Sequence, residues 1–136
     1  MAKTKLKTTC GELVDLMNGL FSVQDVPGKD FALIVSSNMT NLQKVLKHLE
    51  EAGRPSEEFI KFAAEMQRLQ QTNSDDALKE LEKANSELIA ERKLQMEKVQ
   101  ELLKESAEAE LEVLPKDMLP NNLTAKQINN LEKIIV

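Results

Sequence analysis

Apolar residues recur at helical spacing through most of the chain and at alternate positions in two short stretches near its ends. Val35, Met39, Leu42, Leu46 and Leu49 follow one another at steps of 4, 3, 4 and 3, close to the repeat of a coiled-coil seam. Gly53-Arg54-Pro55 interrupts it, because proline lacks an N–H and crowds the preceding turn. Ser56-Glu57-Glu58 restarts the helix, and Phe59, Phe62, Met66 and Leu69 form a new apolar face. After the polar break Thr72-Asn73-Ser74, which with Asp75 and Asp76 makes an N-terminal cap, a second face follows. It reads Leu78, Leu81, Asn85, Leu88, Arg92, Met96, Val99 and Leu103. The pattern predicts a long helix over 31–71, kinked at 53–55, and a return helix over 75–109. These would form an antiparallel, coiled-coil-like hairpin with arms about 50–60 Å long at ~1.5 Å per residue. Asn85 and Arg92 interrupt the return seam with polar groups, which either lie partly solvated or fix its register.

Shorter elements flank the hairpin. Thr4, Leu6 and Thr8 alternate with Lys3, Lys5 and Lys7, the two-residue period of a half-buried strand over 3–8. Ala109, Leu111 and Val113 alternate with Glu108, Glu110 and Glu112, and Pro115 follows, which predicts a strand over 109–114. Paired as a two-stranded β ribbon joining the N-terminal segment to residues 108–114, they would set a lysine row against a glutamate row. The competing reading leaves a basic tail at the start and extends the return helix at the other end. Thr9-Cys-Gly-Glu12 has the form of a capping box and opens a short helix over 10–22, with Leu13, Leu16, Met17, Leu20 and Phe21 on one face. Val26-Pro-Gly-Lys-Asp30 reads as a turn, with Asp30 placed to cap the next helix. Thr124-Ala-Lys-Gln127 is a second capping box, opening a C-terminal helix over 125–135 that carries Ile128, Leu131, Ile134 and Ile135. The fold class expected is mainly α, a single domain over 1–136.

A long hairpin encloses little core for 136 residues, so stability is expected to draw on further copies, with Val35, Met39, Leu42, Leu46 and Leu49 as the self-association seam. Net charge is −5, and Asp75 to Glu112 alone holds twelve acidic and six basic residues. A nucleic-acid-binding surface needs the opposite sign, so nucleic acid is not an expected partner. No apolar run approaches the ~20 residues of a membrane span. The basic start Met1-Ala-Lys-Thr-Lys-Leu-Lys lacks the apolar stretch of a secretion signal, and the single cysteine cannot form an intrachain disulfide, so synthesis in a cytosol is expected. Asn38-Met-Thr and Asn122-Leu-Thr then read as chance glycosylation sequons.

Chemistry is sparse. His48 is the only histidine and sits in a polar helical stretch, so it is expected on the surface. Cys10 lies just past a helix cap, yet no histidine is near it in sequence and no second cysteine could resolve it. Glu97, Glu101, Glu105 and Glu108 fall at i+4 or i+3 steps, predicting one acidic face on the return helix that could receive a basic partner. No Glu-x-x-His pair for a di-iron site and no phosphate-binding glycine loop is present. No catalytic residue, metal, cofactor or small-molecule substrate is expected.

The order of parts carries a resemblance. A basic strand leads into Gly11-Glu-Leu-Val-Asp-Leu-Met17; a helix with Asn38 and the Leu42 to Leu49 seam follows, then Glu50–Phe62 with its Arg54-Pro55-Ser56 break. An acidic strand and Leu123-Thr-Ala-Lys-Gln-Ile-Asn-Asn-Leu-Glu-Lys-Ile-Ile135 close the chain. This resembles small bacteriophage proteins of unknown function encoded near tail and lysis genes. The resemblance implies a viral setting, manufacture in the host cytoplasm, and no mechanism. The expected function is a non-enzymatic phage structural or adaptor protein, bound to itself or to other phage proteins in a virion or larger assembly. The alternative is a soluble inhibitor or assembly chaperone that binds a basic protein on the acidic helix face.

Overall fold

A computed structural model describes residues 2–136. The fold is mainly helical with one two-stranded antiparallel ribbon. Strand β1 spans Lys3–Thr9 and pairs with β2, Ser106–Glu112; between them run α1, Cys10–Ser22, α2, Lys29–Gly53, α3, Glu57–Gln71, α4, Asp75–Ala84, and α5, Ser86–Leu103. Helix α6, Ala125–Asn130, and 3-10 turns at Lys116–Met118 and Glu132–Ile134 complete the chain. The chain, read from sequence as one domain, gathers into two compact units: residues up to Leu49 with Leu102–Val136, and Glu50–Glu101.

The first unit holds the core. Leu13, Leu16 and Leu20 of α1, Ile34, Val35 and Leu42 of α2, Ala109 and Leu111 of β2, and Leu114, Leu131 and Ile134 from the tail form one buried apolar cluster. Phe21, expected on the inner face of α1, is 61% exposed. Thr9 caps α1 by accepting from the Glu12 N–H at 3.2 Å. The second half of that capping box does not form, because the Glu12 carboxylate pairs with Lys133 at 3.3 Å instead. At Thr124 both halves form, Gln127 N–H donating to the hydroxyl at 3.1 Å and the Gln127 side chain accepting from the Thr124 N–H at 2.9 Å. Gly28 takes a φ of +133°, a turn that L side chains rarely adopt, so α2 starts at Lys29 and Asp30 lies in its first turn rather than capping it.

Gly19 marks the closest approach of α1 to α6. A Cβ there would lie 2.9 Å from Asn130 Cβ and 3.1 Å from its carbonyl oxygen. Gly19→Ala gains about 1 kcal/mol of helix propensity but forces two helices apart at a cost of about 1–3 kcal/mol. The expected net result is a lower urea midpoint, read by circular dichroism.

The ribbon sets the lysine row against the glutamate row as the charge alternation predicts, and its antiparallel register places Lys3 opposite Glu112, Lys5 opposite Glu110 and Lys7 opposite Glu108. Strand β2 begins at Ser106, three residues before the expected 109, because the ladder runs on through Thr9 opposite Ser106 and through Cys10 N–H donating to Glu105 C=O at 2.8 Å. The strand expected to reach 114 stops at Glu112. Leu114 instead bridges the C-terminal segment, its N–H donating to Ile134 C=O at 2.7 Å and its C=O accepting from Val136 N–H at 3.1 Å. That bridge needs extended backbone at Ile135, so the helix expected over 125–135 ends at Asn130.

The second unit is a helical hairpin built from shorter pieces than expected. The kinked helix over 31–71 is two helices, with Arg54–Ser56 fully non-helical between them. Ser56 recaps the chain by accepting from Phe59 N–H at 3.1 Å. The turn to α4 passes through Asn73 at a φ of +53°, which asparagine tolerates better than most residues. Ser74 precedes α4, but its hydroxyl lies 2.9 Å from that of Thr72 and does not cap. The return helix expected over 75–109 is interrupted at Asn85 and ends at Leu103.

Candidate functional site

The acidic face predicted on the return helix does not form. Glu97 and Glu101 lie on α5, but Glu105 falls beyond its end and Glu108 sits in β2, where strand geometry turns it toward Lys5 and Lys7, each 4.0 Å away. Helical spacing cannot align four carboxylates once the helix stops at Leu103. The seam proposed for self-association is likewise used within the chain. Val35 and Leu42 are 2% and 0% exposed, Leu49 is buried, and Met39 and Leu46 pack partly buried against the same core.

Asn38 sits on that same face of α2 and is wholly buried. Its amide nitrogen donates to Glu112 C=O at 2.9 Å, and its amide oxygen accepts from Glu112 N–H at 2.7 Å. One side chain thus satisfies both outward main-chain groups of a β2 residue, in the manner of a neighbouring strand. Asn41 adds a third bond, to Glu110 C=O at 3.2 Å. A buried Asn38 is closed to glycosylation in the folded chain, consistent with a chance sequon.

The break after Gly53 leaves helix-end carbonyls without intrahelical donors. Two side chains of α5 supply them. Arg92 Nη1 donates to Gly53 C=O at 2.8 Å, and Gln95 Nε2 donates to Ala52 C=O at 2.9 Å and Arg54 C=O at 2.7 Å. Arg92 also donates to Gln95 Oε1 at 2.8 Å and stacks over Phe59, 5.5 Å from the ring centre. Gln95 rather than Met96 therefore turns inward, and Met96 is 38% exposed. The polar positions of the return seam are bonded rather than merely solvated, since Asn85 too donates to Leu81 C=O at 2.9 Å.

A groove of about 810 Å³ runs beside α3 and the α4–α5 junction. Phe62, Leu81 and Leu88 line it with Glu58, Glu65, Glu87 and Glu91, and Lys61 is its one cationic side chain. Arg68 pairs with Glu65, which holds that carboxyl below its ordinary value. This surface was not foreseen, because its acids come in pairs from two helices, Glu58 and Glu65 of α3 with Glu87 and Glu91 of α5, and only the packing of those helices brings the pairs together.

The structure also brings Cys10 and His48 together across 38 residues, Sγ 3.9 Å from Nε2. His48 Nδ1 lies 3.1 Å from Val45 C=O, which can only accept, so Nδ1 carries a proton, and in the neutral ring Nε2 is the atom that accepts from the thiol. This geometry would suit a nucleophile and base, but the electrostatics oppose it. Burial, and secondarily the charge of Glu105, push the Cys10 thiol above its ordinary pKa. A group whose folded pKa is raised contributes stability that is fully present below the unfolded value and is lost as pH rises through the folded one. Stability should therefore fall at alkaline pH, and Cys10→Ala should flatten that part of the profile. In native buffer, alkylation of Cys10 by iodoacetamide is expected to be slow and to speed up on adding urea. Among the described residues no group of three or more potential metal ligands is present, and no helix is long and apolar enough to cross a membrane.

Comparison with protein-family models, with curated proteins and with solved structures found no match.

Proposed function

We propose that the chain is a non-enzymatic adaptor that acts through protein–protein contacts in a larger assembly, with the helical hairpin Glu50–Glu101 as its docking element. One observation carries this reading: no residue from 50 to 101 is buried. Its apolar seam, Phe59, Phe62, Met66 and Leu69 with Leu78, Leu81, Leu88 and Val99, is only partly buried, and Ile60, Ile89, Leu94 and Met96 are exposed. A pair of helices without a dry interior gains stability from further burial, which a partner supplies. The assembly proposed is that of a bacteriophage, on the resemblance of the chain's parts.

The acidic groove favours a second reading, a soluble inhibitor or assembly chaperone that holds a basic protein between Glu58 and Glu91. Quantitative mass spectrometry of purified particles, with affinity capture from infected cells, separates the two. Fixed copy number in the particle supports the adaptor. Absence from particles, with recovery bound to a basic protein, supports the second reading. A chain that is a free monomer in the cell, with no partner under either procedure, overturns both.

A further inference from the structure

The two edges of the β ribbon are treated differently. In antiparallel pairing, alternate residues direct their main-chain groups at the partner strand and the rest direct them outward. Cys10 N–H bonds Glu105 C=O and Val113 N–H bonds Ala2 C=O, which fixes the even-numbered residues of β1 as those facing β2. On β2 the outward groups are those of Ser106, Glu108, Glu110 and Glu112; Asn38 of α2 bonds both groups of Glu112 and Asn41 bonds the Glu110 C=O, so the far end of β2 is closed by α2. On β1 the outward groups are those of Lys3, Lys5 and Lys7, and among the described residues none of these has a main-chain or side-chain hydrogen-bond partner. The elements in sustained contact with β1 are β2 and α1, the helix that follows it directly.

We propose that the free edge of β1 is a docking site for an extended acidic segment of another protein, which adds to the ribbon as a third strand. The inference is independent of the hairpin reading, since it concerns the other compact unit. Hydrogen-bond chemistry dictates the form of the occupant: outward N–H and C=O groups at every second residue pair with a strand. Charge dictates its composition. The lysine side chains of this edge are exposed, and β2 already meets them with glutamates at matching positions. A third strand carrying acids at alternate positions repeats that match on the other side of the lysine row. A second copy of the same edge, paired antiparallel, would instead bring lysines opposite lysines and be repelled.

The test uses the full chain and a synthetic eight-residue peptide alternating Glu with Val, beside the same peptide with Lys for Glu. Residue-resolved amide exchange by NMR gives the readout. In the free protein the amides of Lys3, Lys5 and Lys7 should exchange fast and those of Thr4, Leu6 and Thr8 slowly. Saturating Glu peptide should slow the three odd-numbered amides by about tenfold or more while leaving the even ones unchanged. The Lys peptide, and a Glu peptide N-methylated at the amides that face β1, should do neither. The proposal is overturned if the Glu peptide fails to bind at millimolar concentration or binds without slowing the odd amides, which would mark a charge contact alone. Odd amides already slow in the free protein, together with a dimeric mass by light scattering, would overturn it equally by assigning the edge to a second copy.

Discussion

Replacing Asn38 by leucine is expected to lower stability by about 2–4 kcal/mol, because it leaves both main-chain groups of Glu112 without partners at roughly 1–3 kcal/mol each. Leucine has the same branching and number of side-chain heavy atoms as asparagine and is somewhat bulkier, so no cavity opens and the loss is chiefly one of hydrogen bonding. Asn38 is 0% exposed, and water cannot readily replace it. Asn38→Asp separates the two halves of the interaction. It keeps an acceptor for Glu112 N–H but sets a carboxylate against Glu112 C=O, where the amide donated at 2.9 Å. Aspartate should therefore be at least as harmful as leucine near neutral pH and recover in part as acid protonates it. Asn41→Ala is the control, since one exposed bond at 3.2 Å should cost under about 1 kcal/mol. Urea unfolding followed by circular dichroism reads all three, and against the ~5–15 kcal/mol typical of a domain the leucine variant should be visibly crippled. An Asn38→Leu chain as stable as the parent would mean that α2 does not close the outer edge of β2.

Asn38 also shows where reading the sequence falls short. It lies on the same face as Val35 and Leu42, yet a search for apolar periodicity passes over a polar residue inside the seam. Nothing along the chain signals that its partner is a main-chain group 74 residues away. Cys10 and His48 were separated for the same reason. The ribbon, by contrast, was legible as a pairing of a lysine row with a glutamate row, because two segments with matched alternation and opposite charge can put Leu6, Ala109 and Leu111 together on one side; a shift of two residues keeps that match, so the register itself came from the structure. Both capping boxes were visible as local motifs, and only Glu12 had a tertiary competitor in Lys133.

The return helix was misjudged by tertiary competition. Glu101-Leu-Leu-Lys-Glu-Ser-Ala-Glu-Ala-Glu has no glycine or proline and good helix formers throughout, so propensity carries the helix to 109. Continuing it would forfeit the main-chain ladder to β1 from Ser106 onward and the burial of Ala109 and Leu111. Those outweigh a few tenths of a kcal/mol of propensity per residue. The acidic face Glu97 to Glu108 disappeared with the same shift. In its place stands a groove whose acids come from α3 and α5, a pairing of elements that no single-helix period can disclose.

Reversing Lys3, Lys5 and Lys7 to glutamate is expected to destabilise the chain by about 1–3 kcal/mol at low salt, since each cross-strand pair changes from a gain to a penalty of ~0.2–1 kcal/mol. The low end of that range is favoured, because Lys5 and Lys7 are largely exposed and both meet Glu108 only at 4.0 Å. Reversing Glu108, Glu110 and Glu112 to lysine should cost a similar amount for the same reason. Both sets together restore opposite charges at every register position, and with them the net charge, so the six-fold variant should return close to parental stability. Salt supplies the second check: at ~1 M the screening length is about 3 Å, so most of the loss in either triple variant should vanish. Losses that add in the combination, or that persist in high salt, would mean that the charges do not act across the ribbon. Stability there would then come from the ladder and the buried face alone.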